Sequence, residues 1–70
     1  MKDNILGKRI KELRIERRIS QRQLGIELGF SNQTISTWES GQREPDCDSL
    51  IMLANFFDTS LDYLFGLTDI

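Results

Sequence analysis

Four small, uncharged polar side chains, Asn32, Gln33, Ser36 and Thr37, stand in a segment that otherwise reads as an amphipathic helix. With Asn32 set at 0° and about 100° per residue, Ser36 falls near about 40°, Gln33 about 100° and Thr37 about 140°, whereas Trp38 and Ile35 fall at about 240° and about 300°. One face is therefore amide and hydroxyl, and the opposite face is apolar. A solvated face on so short a helix usually takes Lys or Glu, because Asn, Ser and Thr are poor helix formers. What such side chains do well is hydrogen-bond to base edges, where Asn or Gln grips N6 and N7 of adenine together in the major groove.

Other chemistries lack their parts. The chain has no histidine, no Gly-rich phosphate loop and a single cysteine, Cys47, without a base partner. Nucleophilic and metal catalysis are therefore not expected. Asp46 and Asp48 lie at a helix start, where capping accounts for them. No cofactor, metal or small-molecule ligand is implied. A lone thiol suits a reducing cytoplasm, and Cys47 itself reads as a small buried or half-buried apolar residue.

The elements that must position the polar face follow from local signals. Leu6, Ile10 and Leu13 form one stripe of a first helix, from about Asn4 to Arg17. Ser20 opens a second, with Gln23 completing a capping box and Leu24 and Leu28 facing inward. Gly29 tolerates the positive φ that ends it, and Phe30 plugs the gap between helices. Ser31 caps the third helix, Asn32 to Ser40, which stops at Gly41. Gln42 to Pro45 is the connector. Asp46 then caps a fourth helix reaching about Phe57, and Ser60 caps a short fifth ending at Gly66. The expectation is a single all-α, five-helix domain over residues 1–70, with its helix-turn-helix unit at about 20–41.

Composition agrees. The 39% hydrophobic and 29% charged content is that of an ordinary globule. No apolar run approaches the roughly 18 residues of a membrane span, and the charged N-terminal stretch is unlike a signal peptide. The formal charge of −2 conceals an asymmetry. All nine basic residues and five acids lie within positions 1–43, a balance of +4, and six acids with no base follow, a balance of −6. Such asymmetry points to a nucleic-acid face and a separate acidic face.

The chain resembles the lambda-repressor/Cro group of helix-turn-helix proteins, the XRE family. The resemblance runs through Ile10-Lys11-Glu12-Leu13-Arg14, Ser20-Gln21, Leu24, Leu28-Gly29 and Ser31, and continues through Thr34-Ile35-Ser36, Trp38-Glu39, Gly41 and Pro45 to Ser60-Leu61-Asp62-Tyr63-Leu64-Phe65-Gly66. It implies a compact lambda-repressor-like DNA-binding domain, of bacterial or phage type, whose second and third helices bind double-stranded DNA. Residues matching the base readers are Asn32, Gln33 and Thr37, with Ser36 beside them. Gln21 matches a phosphate-contacting position that braces the first reader, and Ser31, Gln42 and Arg43 belong to the same backbone-facing set. Arg9 and Arg22 are either further backbone contacts or simply solvated. Arg14 and Glu39 read as an ion pair that orients the reading helix, with Gly29, Ile35 and Trp38 as its other supports.

Two features depart from the pattern or extend it. Gly25 stands where the family usually has alanine, and either residue should allow close helix approach. On the fourth helix, Leu50, Leu53, Ala54 and Phe57 face the core, whereas Met52 and Phe56 fall on the far side. That pair is covered either by the fifth helix, through Leu61, Leu64 and Phe65, or by a homodimer contact shared with Leu67 and Ile70. A dimer would match a pseudo-palindromic operator. The functional expectation is a cytoplasmic transcriptional regulator, a repressor acting by operator occupancy. The alternative is a DNA-binding antitoxin or anti-repressor working mainly through protein contacts.

Overall fold

The computed structural model describes residues 4–69. Five α-helices, and no strand among the described residues, run α1 (Ile5–Glu16), α2 (Gln21–Leu28), α3 (Asn32–Ser40), α4 (Cys47–Phe56) and α5 (Leu61–Leu64). Each of the last four begins on a side-chain cap. Ser20 Oγ accepts from Gln23 N at 3.0 Å while Ser20 N donates to Gln23 Oε1 at 2.7 Å, the reciprocal capping box. Ser31, Asp46 and Ser60 accept from the backbone N–H groups of Thr34, Ser49 and Tyr63 at 3.1, 2.8 and 3.0 Å. Hydrogen bonding from the Ser49 side chain, and then from its N–H, holds the Asp46 carboxyl below its usual value.

The turn between α2 and α3 is made by Gly29 at φ 85°, with the N–H groups of Gly29 and Phe30 both donating to Gly25 O at 2.7 Å. Gly25 is not interchangeable with alanine here. A Cβ at that position would run into the Phe30 carbonyl oxygen, so the turn itself would have to move. Three non-glycine residues among those described, Asn4 before α1, Arg18 after α1 and Asp58 after α4, also adopt the left-handed region, at φ 48°, 57° and 52°.

The core joins all five helices through Leu6, Ile10, Leu24, Leu28, Ile35, Trp38, Leu53, Ala54, Phe57 and Leu64. α3 packs on α1 and α2, and α5 packs on α1 and α4. Phe30 stacks edge-on against Trp38 at 5.0 Å, filling the space beneath the turn. One expectation is corrected. Cys47 is exposed, because it is the first residue of α4, immediately after the exposed cap Asp46 and before the helix reaches the core. Phe56 is half-buried against the core. It packs edge-on to Phe57 at 5.0 Å, with the Arg17 guanidinium 5.1 Å above its ring. The end of α1 therefore closes over this side of α4.

Candidate nucleic-acid interface

α3 presents its two faces as its sequence dictates. Ile35 and Trp38 are buried, Asn32 and Gln33 are exposed, and Ser36 and Thr37 are half-buried between them. Hydroxyls along the helix bond back onto its own backbone. Thr37 Oγ1 donates to Thr34 O at 2.7 Å, and Ser40 Oγ donates to Thr37 O at 3.2 Å. Ser40 lies about 80° from Asn32, inside the same polar arc. Its place there follows from the helical spacing alone.

A buried hub holds this helix. Arg14 Nε donates to Glu39 Oε2 at 2.7 Å and its NH2 nitrogen to Glu39 Oε1 at 3.1 Å, with side chains only 12% and 4% exposed. Arg14 also donates to Ile19 O at 2.9 Å, and Gln21 Nε2 to Glu39 Oε1 at 3.1 Å. One carboxylate thus ties α1, the start of α2 and the end of α3 together with charge-assisted bonds. Gln21 is drawn inward by its amide nitrogen, so its link to α3 runs through Glu39.

Sequence reasoning missed a second joint. Asn4 does not cap α1; its amide donates to Glu39 O at 3.0 Å. Beside it, a Cβ on Gly7 would lie 2.5 Å from Trp38 O and 2.6 Å from Glu39 O. Gly7 is what lets α1 touch the α3 backbone. The available signal was a glycine inside an otherwise regular amphipathic helix, which often marks close backbone approach.

The backbone-contact candidates separate. Arg43 is exposed, and its N–H donates to Thr37 O at 3.3 Å, folding the post-α3 segment back beside the polar face. Gln42, Ser31 and Arg22 are also exposed. Arg9 is placed otherwise: its guanidinium lies 4.2 Å over the Tyr63 ring and 3.8 Å from Asp69, held against the acidic C-terminal segment. Among the dimer candidates, Met52 and Leu67 are exposed, Phe56 is covered as described, and Ile70 lies outside the described residues. No group of His, Cys, Asp or Glu suited to a metal occurs among the described residues, and no helix there is long and apolar enough to cross a membrane.

A helix-turn-helix family model matches residues 10–64, from the core residue Ile10 of α1 through the hub and both helices of the turn to Leu64 of α5. The chain belongs to the helix-turn-helix family. Within it, this helix-turn-helix domain is of the lambda-repressor/Cro, or XRE, type. It is 39% identical over 61 residues to the transcriptional regulator ImmR of Bacillus subtilis, covering 87% of this chain and 48% of that protein. It is also 38% identical over 64 residues to repressor protein C2 of Salmonella phage P22, covering 91% of this chain and 30% of the repressor. The crystal structure of the P22 c2 repressor in complex with a synthetic operator superposes with a TM-score of 0.80 at 39% identity, over 84% of this chain and 89% of that one. The helix-turn-helix domain thus spans about half the length of its Bacillus relative and less of the phage repressor.

Proposed function

We propose that this chain is a sequence-specific, double-stranded DNA-binding transcriptional regulator that represses by occupying its operator. In this reading α3 enters the major groove with Asn32, Gln33, Ser36 and Thr37 toward base edges. Ser31, Gln42, Arg43, Arg22 and the start of α2 at Gln21 meet the phosphates. The observation that supports it best is the Arg14–Glu39–Gln21 hub beneath an exposed amide face, since a rigid support is what base readout needs. The likeness to a repressor structure containing operator DNA supports the same orientation. The activity assigned is binding rather than catalysis, in the cytoplasm of a bacterium or of a phage-infected host.

A homodimer completes the reading. Two copies related by a two-fold axis would set their α3 helices about 34 Å apart, one turn of DNA, and so require a pseudo-palindromic site. Met52 and Leu67 supply exposed apolar side chains for that contact. The test is selection of bound sites from a random duplex pool, repeated with Asn32→Ala/Gln33→Ala. A two-fold-symmetric motif that the double variant blurs is the expected result. Absence of any enrichment at low salt would overturn the groove-reading assignment.

A further inference from the structure

We infer that Thr37 reads its base pair as a hydrogen-bond acceptor, so that the base it touches presents an amino group in the major groove, adenine N6 or cytosine N4. The inference rests on the reading of α3 as the groove-entering helix and adds the chemistry of one contact. Thr37 Oγ1 lies 2.7 Å from the carbonyl oxygen of Thr34. Two oxygens at that distance need a proton between them, and the carbonyl has none to give. The Thr37 hydroxyl proton is therefore committed to the helix backbone. A threonine hydroxyl has one donor and two lone pairs, so what it offers outward is acceptance alone.

The commitment is reinforced from both sides. A β-branched residue in a helix has few χ1 choices, and the back-bond selects one of them. The Thr37 carbonyl in turn accepts from Ser40 Oγ at 3.2 Å and from the Arg43 N–H at 3.3 Å, which fixes the turn on which Thr37 sits. In the major groove, adenine N6 and cytosine N4 donate, whereas adenine N7, guanine O6 and N7 and thymine O4 accept. An acceptor-only hydroxyl is matched to the first pair and repelled by the second group. The exposed carboxamides of Asn32 and Gln33 each carry a donor and an acceptor, so they impose no comparable one-way rule.

The experiment starts from the operator recovered by selection with the wild-type chain. Each base pair is then replaced by analogues: purine for adenine or 2-pyrimidinone for cytosine removes the amino group, and 7-deazaguanine removes N7. Binding is measured for wild type, Thr37→Val and Thr37→Ser, with thermal unfolding of each variant as a check on folding. At one pair per half-site, removing the amino group should weaken wild type and Thr37→Ser about tenfold and leave Thr37→Val unchanged. Coupling of Thr37 to guanine N7 would mean that the hydroxyl donates, and overturns the proposal. So does a lack of coupling at every pair, or a Thr37→Ser variant that behaves like valine. A wild-type chain that selects no site at all overturns the operator reading itself, an outcome distinct from these.

Discussion

Arg14 and Glu39, 25 positions apart, meet in a two-point ion pair at 2.7 and 3.1 Å whose carboxylate also receives the amide of Gln21. The pair joins the last turn of α1 to the end of α3, and through Gln21 and Ile19 O it fixes the entry to α2. Three helices are thus oriented about one carboxylate.

Removing one side of that pair leaves a nearly buried charge without its partner. Arg14→Met should destabilise the domain by about 3 kcal/mol in urea unfolding. Arg14→Met/Glu39→Leu should be less destabilised than the sum of the two single variants, because both charges leave together. Additive losses would show that the two side chains are not energetically coupled.

Gly7→Ala separates tertiary packing from helix propensity. Propensity alone favours alanine inside a helix by about 0.5–1 kcal/mol. The added methyl, however, would meet the carbonyl oxygens of Trp38 and Glu39 at 2.5 and 2.6 Å. Overpacking against backbone should prevail, with a net loss of about 1–3 kcal/mol in urea unfolding and weaker operator binding. A stabilised variant would mean that α1 can slide off α3 without penalty.

Salt dependence distinguishes the arginines. Arg43→Ala should reduce the slope of log affinity against log salt by about 1, with affinity falling similarly for all sequences. Arg9→Gln should leave that slope unchanged, because its guanidinium is occupied by Tyr63 and Asp69. Its effect should appear instead as a loss of about 0.5–1 kcal/mol of stability from the ring contact.

The cap of α4 gives a pH signature. Asp46 is held below its usual value of 3.8 by Ser49, so its folded pKa lies under its unfolded one. Its contribution is complete above 3.8 and is lost as the pH falls through the lower, folded value. Asp46→Ala should therefore melt earlier than wild type at neutral pH, and the gap should narrow as the pH is taken below 3.8. A gap that stays constant with pH would assign the effect to something other than the carboxylate.

The helix starts were legible because a cap is local: Ser20 with Gln23, and Ser31, Asp46 and Ser60, each find their partner within three residues. The buried face of α3 was legible for the same reason, since Ile35 and Trp38 lie on one side of a regular helix. Contacts between distant segments were less so. The Arg14–Glu39 pair came from a family resemblance, not from spacing. The cover over Phe56 comes from Arg17, nearly forty positions earlier, and helical periodicity carries no information about that side chain. Gly7 and Asn4 act on the α3 carbonyls across the same kind of distance, and Arg9 is turned toward Tyr63 by α5 packing on α1.

Arg18 and Asp58 end α1 and α4 in the left-handed region without being glycine, at a cost of about 1 kcal/mol for Arg18 and less for Asp58, whose short polar side chain tolerates that conformation. The domain has therefore not reached its own ceiling of stability, and Arg18→Gly, away from the polar face of α3, should raise it. That margin matters for how such a protein changes over generations. A gain at a helix end can offset a loss in α3, so the residues of its polar face are free to be exchanged before the fold is endangered.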